Sequence, residues 1–235
     1  MTPPVFSIVI PCHNEAAYLP DALDALYDAL DRVPAETEVI IAENGSTDGT
    51  ADAVRAAAQR HPGLGLIELP DPDYGAAMRE GFLQSRGEWA VNFDIDYFSG
   101  AFLLNVLESG DDSDLVLASK RAVGSRDKRS RFRRLATLVF NLLLRTLFGS
   151  QVSDTHGMKA IRRRVVDDIA PRVASTQDLF DTELVIRAER AGYRIAEVPV
   201  TVEELRSSKS NLLRRVPRTL RGLWRIRRLL RREGR

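Results

Sequence analysis

The sequence predicts an α/β fold built on a largely parallel sheet. Short apolar runs alternate four times with helical patterns between residues 5 and 93, as expected when helices connect parallel strands. The first run, residues 5–10, is apolar without alternation, which is typical of a strand buried on both faces. Polar loops follow the first, second and fourth runs. Because ligands bind outside the carboxyl ends of such strands, we expect these loops to meet in one site.

Each element has a local reason to form. Residues 18–30 repeat leucine at helical spacing, which predicts an amphipathic helix between the first two strands. Ser46 or Thr47 is expected to cap the alanine-rich helix that ends near residue 61. In full, we expect strands at 5–10, 38–42, 64–69, 89–93, 115–118 and 194–202, and further helices at 74–85, 100–109, 132–148, 163–170, 178–191 and 212–232.

Composition bounds the class of protein. The chain has 235 residues, of which 44% are hydrophobic, enough for one sizeable core and a small appendage. Its one cysteine, Cys12, excludes an internal disulfide and fits a reducing compartment. The most apolar helical stretch, 135–148, is shorter than the ~18–20 residues that span a bilayer. No signal segment is visible. We therefore expect a soluble, cytoplasmic protein.

Charge is divided unevenly along the chain. Residues 1–118 hold 21 acidic and 5 basic side chains, a net charge of −16, and residues 119–235 hold 12 acidic and 29 basic ones, a net charge of +17. Eight of those bases lie between residues 120 and 134. Such a division predicts a basic surface for an anionic partner, either a membrane or a nucleic acid.

The last thirty residues carry 12 bases and one acid. Leucine, isoleucine and tryptophan recur among these bases at helical spacing, so the segment has the composition of a basic amphipathic helix. Such a helix can lie on an anionic bilayer; the alternative is an ordinary helix packed on the core or on a partner chain. Nucleic-acid binding is disfavoured because no nucleic-acid motif accompanies the charge. We expect residues 1–205 to form the main domain and 206–235 a basic tail in peripheral contact with the membrane.

Two carboxylates, Asp94 and Asp96, follow the fourth strand. On an extended backbone this spacing places both side chains on one face, where they could hold one divalent cation. Mg²⁺ commonly takes one or two carboxylates together with substrate phosphates. The alternative is a solvated turn that closes the strand.

Four motifs stand in a recognisable order: IPCHNE at 10–15, NGSTDGT at 44–50, YGAAMREG at 74–81 and DID at 94–96. In combination they resemble the inverting glycosyltransferases of family 2, which have the GT-A fold. DTHGMK at 154–159, LFDTEL at 179–184 and GYRIAEVPV at 192–200 are similar to the polyprenol-phosphate sugar synthases, the dolichol-phosphate mannose synthase group. The resemblance covers roughly residues 5–210.

The resemblance implies a nucleotide-sugar donor, of the GDP-mannose or UDP-glucose type. It implies a pocket in which Glu43 contacts the base and the two aspartates bring Mg²⁺ or Mn²⁺ to the donor diphosphate, where a metal stabilises the developing charge. The expected donor-site residues are Pro11, His13, Glu15, Glu43, Gly75, Arg79, Asp94 and Asp96. The chain departs from the family twice. Glu43-Asn44 replaces the usual Asp-Asp, and Phe98 stands where some members have a glutamine as third metal ligand.

The acceptor determines which other residues are needed. A polyprenyl phosphate is already an anionic nucleophile, so it requires cationic positioning more than a general base. By the resemblance, Arg121 and Arg133 would cradle phosphates. A hydroxyl acceptor would instead need a carboxylate base, for which Asp181 and Glu183 are the candidates; a purely structural role in a salt-bridged helix is the alternative for both. The expected catalytic set is Asp96, Arg121, Arg133, Asp181 and Glu183.

We therefore expect an inverting, metal-dependent enzyme that moves a hexose to a polyprenyl or dolichyl phosphate at the inner, cytoplasmic face of the membrane. Three alternatives stand beside it. The same fold could use a hydroxyl on a glycan or a small molecule. A nucleotidyltransferase would want a basic, glycine-rich loop after the first strand, which residues 11–15 do not provide. A non-catalytic membrane-binding module would be indicated by loss of Asp94 or Asp96, and both are present.

Overall fold

The computed structural model describes residues 3–119, 125–127, 131–202 and 212–233. The strands are β1 (Phe6–Cys12), β2 (Thr37–Asn44), β3 (Leu64–Leu69), β4 (Trp89–Asn92), β5 (Leu115–Ser119), β6 (Arg126–Asp127), β7 (Lys159–Arg162), β8 (Ile195–Pro199) and β9 (Thr201–Val202). The helices are α1 (Leu19–Leu30), α2 (Thr50–Ala57), α3 (Tyr74–Gln84), α4 (Gly100–Ser109), α5 (Arg131–Phe148), α6 (Arg163–Ile169), α7 (Phe180–Arg190) and α8 (Leu212–Glu233).

Seven strands form the central sheet in the order β3-β2-β1-β4-β7-β5-β8. Neighbours in the first four strands are parallel, as are β5 and β8. Only β7 runs antiparallel to its two neighbours, β4 and β5. The predicted α/β fold with a mostly parallel sheet is therefore confirmed. No sequence pattern predicts β7, because it has only four residues and begins and ends with a charged side chain.

The core consists of two layers, one on each face of the sheet. Ile8 and Ile10 of β1 pack on one side with α1, α2 and α4, while Val9 packs on the other with α3, α6 and α7. This explains why the first apolar run shows no alternation, because both of its faces are buried. Each buried aliphatic side chain of this kind contributes about 1.5–3 kcal/mol to stability.

A third apolar cluster fixes the C-terminal helix to the body of the protein. Leu223, Ile226 and Leu230 of α8 pack against Leu144 of α5 and Ile186 of α7. These α8 side chains recur at three- and four-residue spacing, so they share one stripe of the helix. Residues 212–233 of the predicted basic tail thus form a helix with one face buried.

Two local predictions were wrong. Neither Ser46 nor Thr47 occupies the N-cap position of α2, which belongs to Gly49 with φ of +85°. Asp48 provides the side-chain contact instead, because its Oδ1 accepts a hydrogen bond from the Thr50 amide at 3.0 Å. The expected strand 194–202 is divided into β8 and β9, and β9 pairs with β6 in a separate two-stranded sheet.

Within the described ranges, no helix combines the length and apolar character that crossing a membrane requires.

Candidate active site

The carboxyl ends of β1, β2 and β4 meet at one edge of the sheet. Cys12, the last residue of β1, pairs in parallel register with Glu43 of β2. On the other side of β1, Val9 pairs with Asn92, the last residue of β4. The loops that follow these three strands therefore begin side by side, as the sequence predicted.

The first two of these loops are joined into one rim. The backbone amide of Asn14 donates to Ser46 Oγ at 2.9 Å, and Asn14 Oδ1 accepts from the amide of Thr47 at 2.8 Å. Asn14 has a positive φ of 56°, a conformation that asparagine tolerates better than most residues. His13 adds a third link, since its Nδ1 lies 2.8 Å from the carbonyl oxygen of Asn44. These hydrogen bonds hold the loops in place before any ligand binds.

Carboxylates from the end of β2 and from the loops after β1 and β4 lie at this edge. Glu43 is buried, and its Oε1 accepts a hydrogen bond from the Ser46 amide. Burial raises the pKa of the Cys12 thiol, and the negative charges of Glu15, Asp94 and Glu43 raise it further. The buried thiol thus experiences one carboxylate from the end of β2 and one each from the loops that follow β1 and β4. The edge carries the concentrated negative charge that favours a bound cation.

Asp94 and Asp96 lie in a tight turn and not on an extended strand. The amide of Asp94 donates to the carbonyl of Tyr97 at 3.1 Å, and the amide of Tyr97 donates back to Asp94 at 3.0 Å. Strand β4 already ends at Asn92. The expectation of two side chains on one face of extended backbone is therefore wrong at this point. Both aspartates nevertheless lie at the carboxyl edge, Asp94 exposed and Asp96 half-buried.

Asp94 and Asp96 are the candidate metal ligands at this edge. Within the described part of the chain, no group of three or more histidine, cysteine, aspartate or glutamate side chains is arranged to hold one. The donor set of two carboxylates suits a hard cation that takes its remaining oxygen ligands from phosphate and water. The residues present therefore fit a Mg²⁺ or Mn²⁺ ion that arrives together with a diphosphate.

A buried polar network adjoins the turn. The hydroxyl of Tyr74 donates to Asp181 Oδ2 at 2.8 Å, and Lys159 Nζ lies 3.1 Å from Asp181 Oδ1. The same ammonium donates to Asn92 Oδ1 at 2.7 Å. Burial raises the pKa of Tyr74 well above its usual value, and the charges of Asp181 and Asp94 raise it further. The network brings α3, α7, β7 and β4 together immediately behind the two aspartates.

The sequence alone does not predict that Lys159, Tyr74 and Asn92 belong to this network. One signal was present: Lys159 stands between Met158 and Ala160 in an apolar stretch, and a lysine is almost never fully buried unless it is paired. Its partner, Asp181, is 22 residues further along the chain. Only the fold brings the two together.

The surroundings of Glu183 indicate a structural role for its carboxylate. It is completely buried, and its carboxylate accepts hydrogen bonds from the amides of Ala174 and Ser175 at 3.1 and 2.7 Å. Arg187 Nε adds a third at 2.7 Å. A buried carboxylate with three such hydrogen bonds holds the backbone of residues 174 and 175 in place. Glu183 therefore has a structural role and is not a candidate base.

Gly75 and Arg79 lie where α3 meets the segment 173–177. A Cβ atom on Gly75 would stand 2.7 Å from the Gln177 nitrogen and 2.8 Å from the Thr176 Cα atom. The guanidinium of Arg79 donates to the carbonyl of Val173. Its Nε is buried and has no hydrogen-bond partner among the described residues. Gly75, a predicted donor-site residue, is thus required because the backbone of residues 176 and 177 lies too close to α3 for a side chain at this position.

The remaining predicted residues divide into two groups. Pro11 and Glu15 are half-buried at the rim and His13 is exposed, so all three belong to the same edge as the aspartates. Arg121 lies outside the described residues, and Arg133 is in the first turn of α5 with a side chain that also lies outside them. The expected acceptor arginines therefore stay a prediction.

Residues 7–170, more than half of the chain's length, match the family model described as glycosyl transferase family 2. The chain belongs to glycosyltransferase family 2. The family expected from the four motifs is thus confirmed, together with the glycosyltransferase class of enzyme that it denotes.

Curated relatives of this family 2 chain are about 30% identical. Glycosyltransferase AglD of Haloferax volcanii is 30% identical over 88% of the chain, which spans 34% of that protein. Dolichyl-phosphate beta-glucosyltransferase ALG5C of Trichomonas vaginalis is 30% identical over 88% of the chain, which spans 66% of it. A dolichyl-phosphate beta-glucosyltransferase of Dictyostelium discoideum is 27% identical, with 94% and 76% covered. The chain thus spans a third to two thirds of the first two relatives.

Solved structures confirm the GT-A fold. Glucosyl-3-phosphoglycerate synthase of Mycobacterium tuberculosis, crystallised with Mn²⁺, UDP-glucose and phosphoglyceric acid, superposes with a TM-score of 0.70 at 22% identity, covering 95% of this chain and 79% of that one. The mannosyltransferase PcManGT of Pyrobaculum calidifontis, in complex with GDP-mannose and Mn²⁺, gives 0.63 at 23% identity, covering 93% and 61%. At these identities the likeness concerns the fold alone.

Proposed function

We propose that this chain is an inverting, metal-dependent hexosyltransferase that uses a nucleotide-sugar donor, of the UDP-glucose or GDP-mannose type, and a polyprenyl or dolichyl phosphate acceptor. The observation that carries the proposal is that Glu15, Glu43 and Asp94 lie at or just after the carboxyl ends of β1, β2 and β4, which are neighbours in the sheet. Carboxylates from three strand ends supply both a place for a cation and polar contacts for a nucleotide. Two neighbours of this fold were crystallised with a nucleotide-sugar and Mn²⁺.

Asp94 and Asp96 would hold Mg²⁺ or Mn²⁺ at the donor diphosphate. A bound cation there supplies charge stabilisation to the diphosphate as the glycosidic bond breaks. The joined loops around Asn14 and Ser46 would position the nucleotide, with Glu43 at the base and Gly75 allowing the close approach of α3 to the segment 173–177. The rim is held by its own hydrogen bonds, so little ordering is needed when the donor binds.

The acceptor would react through a phosphate oxygen. That oxygen attacks the anomeric carbon from the face opposite the nucleotide, a new C–O bond forms, and the nucleoside diphosphate leaves with the bonding electrons of the old one. Because the displacement is single, the configuration inverts. The nucleophile is already an anion, so no residue of the chain has to remove a proton from it. Relatives named for dolichyl phosphate and undecaprenyl phosphate support this acceptor class.

Two helices present surfaces suited to a lipid acceptor. Four apolar side chains of α5 are exposed at three- and four-residue spacing: Leu135, Leu138, Val139 and Leu142. On α8, Val216, Leu220 and Trp224 are exposed four residues apart, and Trp224 is 67% exposed. Apolar stripes beside many arginines suit the boundary of an anionic bilayer. We therefore propose peripheral contact with the cytoplasmic membrane face through α8, assisted by α5.

A hydroxyl acceptor is the second candidate, because one carboxylate, Asp181, adjoins the site. It is only 4% exposed, and its oxygens face Tyr74 and the ammonium of Lys159. Acting as a base would require it to exchange these partners for the substrate hydroxyl. Its environment therefore favours a positioning role, and the phosphate acceptor is the better supported of the two.

The deciding experiment is a matched pair of acceptors. The purified chain is incubated with Mn²⁺, with UDP-glucose or GDP-mannose, and with either a short polyprenyl phosphate or the corresponding polyprenol, and the products are identified by mass spectrometry. We expect a lipid-linked hexose from the phosphate and none from the alcohol. Transfer to the alcohol or to a soluble glycan, with none to the phosphate under any donor, would overturn the acceptor assignment and favour the hydroxyl alternative.

A further inference from the structure

A cationic cavity lies between α8 and the segment 175–179. Its volume is about 260 Å³. Its lining residues are Ser175, Thr176, Gln177, Leu179, Arg218, Thr219, Arg221, Gly222 and Arg225. We refer to it as the α8 cavity. Three arginines and no carboxylate face it among the side chains that the structure describes.

The geometry of α8 explains why these arginines converge. Positions 218, 221 and 225 recur at three- and four-residue spacing, so they form one stripe along the helix. This stripe lies on a different face of α8 from the buried one that carries Leu223, Ile226 and Leu230. The three arginines are exposed, and all of them line the cavity beside the segment 175–179. The exposed apolar residues from Val216 to Trp224 lie on a separate flank of the helix.

One wall of the cavity includes a close contact between α8 and Leu179. A Cβ atom on Gly222 would stand 2.1 Å from Leu179 Cδ1, so a larger residue there would require this side chain to move. On the opposite wall, the amide of Gln177 donates to Asp73 Oδ1 at 2.9 Å, and the carboxylate of Glu183 accepts from the Ser175 amide. These two hydrogen bonds hold the backbone of the segment 175–177, which forms this wall of the cavity.

Arg221 and Arg225 are exposed, and within the described part of the chain they form no ion pair or hydrogen bond. Bringing three guanidinium groups together costs electrostatic energy unless an anion compensates them. Guanidinium forks and nearby hydroxyl groups, here those of Ser175 and Thr176, are the donors that proteins use for phosphate.

We propose that the α8 cavity binds a phosphate group, as inorganic phosphate or as the phosphate of an anionic lipid headgroup. The proposal does not rest on the proposed transfer reaction. Because α8 carries both the cavity and an exposed apolar flank, a headgroup seated there would bring the helix onto the bilayer surface.

A single position tests the proposal. Thr176 is exposed at the cavity wall, so Thr176→Glu places a carboxylate among the arginines, and Thr176→Gln adds nearly the same volume without charge. Inorganic phosphate is titrated calorimetrically against chloride at equal ionic strength. Association is also measured with vesicles of phosphatidylcholine containing phosphatidylglycerol, and with phosphatidylcholine alone. We expect Thr176→Glu to weaken phosphate or vesicle binding by about tenfold or more, and Thr176→Gln to leave it unchanged.

The outcomes separate the two sources. Loss of phosphate binding with unchanged vesicle association supports a soluble phosphate, and loss of association with the anionic vesicles supports a headgroup. If both variants bind both probes as the wild type does, or if both lose them equally, the proposal is overturned. Should Thr176→Glu fail to fold, Arg221→Gln with Arg225→Gln replaces it. Its control, Arg228→Gln with Arg232→Gln, removes the same charge from α8 outside this cavity, and equal losses in the two pairs would also overturn the proposal.

Discussion

The ammonium group of Lys159 lies 3.1 Å from Asp181 Oδ1, and the two residues are 1% and 4% exposed. A second acceptor, Asn92 Oδ1, lies 2.7 Å from the same ammonium. This pair sits behind the turn that holds Asp94 and Asp96, so it fixes the back of the candidate site. In such a dry environment either charge is costly without the other.

Removing one partner should therefore destabilise the protein strongly. Asp181→Asn keeps the shape and an acceptor for Tyr74 but leaves Lys159 as a buried cation without its counter-charge. We expect the free energy of unfolding, measured by urea titration at pH 7, to fall by about 3–5 kcal/mol. Asp52→Asn is the matched control. It breaks the exposed pair with Arg55 and should change the free energy of unfolding little. Equal small losses in both variants would contradict the buried pair.

Asp96→Asn should abolish transfer without unfolding the protein. Its carboxylate is half-buried in the turn after β4, where we propose that it holds the cation at the donor diphosphate. We expect kcat to fall by about a hundredfold or more, with weaker Mn²⁺ binding by titration and an unchanged thermal midpoint. Asp28→Asn, at an exposed position of α1, should change neither. An unchanged rate in Asp96→Asn would remove the metal assignment.

The exposed stripe of α5 should contribute to membrane association. Leu138 and Leu142 are 48% and 61% exposed on one face of the helix. Replacing both with glutamine removes apolar area that would otherwise enter the bilayer boundary. We expect association with anionic vesicles, measured by sedimentation, to weaken by about tenfold or more. Leu83→Gln with Leu104→Gln alters two exposed leucines on α3 and α4 and should have no effect. Equal losses would show that the effect is not specific to α5.

Stability should depend on Asp114 at acidic pH. Burial raises the pKa of this carboxyl, but hydrogen bonds from Arg164 and from the amide of Arg194 outweigh it and lower the pKa from 3.8 to about 2. A lowered folded-state pKa contributes stability above the unfolded value, and this contribution is lost as the pH falls from about 4 to 2. Urea unfolding at several pH values should show a gap of about 2 kcal/mol between wild type and Asp114→Asn at pH 6. A gap that does not shrink towards pH 2 would contradict this.

Gly75→Ala should disturb the contact between α3 and the segment 173–177. The new methyl group would meet backbone atoms of Thr176 and Gln177 that cannot move independently. We expect a loss of about 1–3 kcal/mol in the free energy of unfolding and a raised KM for the donor. Gly65→Ala on β3 would meet only an ordinary contact at 3.8 Å and should be nearly neutral. A normal donor KM in Gly75→Ala would separate this glycine from donor binding.

The sequence predicted the part of the site that depends on strand ends. The loops after β1, β2 and β4 could be located because an unbroken apolar run followed by polar residues identifies the carboxyl end of a buried strand. The turn at Asp94 was mispredicted, since spacing alone does not show that the strand ends two residues earlier. Asp181 and Glu183 look alike in sequence, yet one faces the site and the other is enclosed by backbone amides. That difference arises from tertiary packing, which no local pattern encodes.

Helix α8 also completes the hydrophobic core. Arg187, 5% exposed, is neutralised jointly by Glu183 of its own helix and by Glu233 at the end of α8, at 2.6 and 3.0 Å from the latter. Cutting the chain before Leu212 would uncover Leu144, Leu179 and Ile186 and would leave Arg187 with half of its counter-charge. Truncation would therefore cause misfolding and aggregation, and these would obscure any effect on lipid binding. The role of α8 at a membrane has to be read from point substitutions on its outer faces, in a chain kept whole.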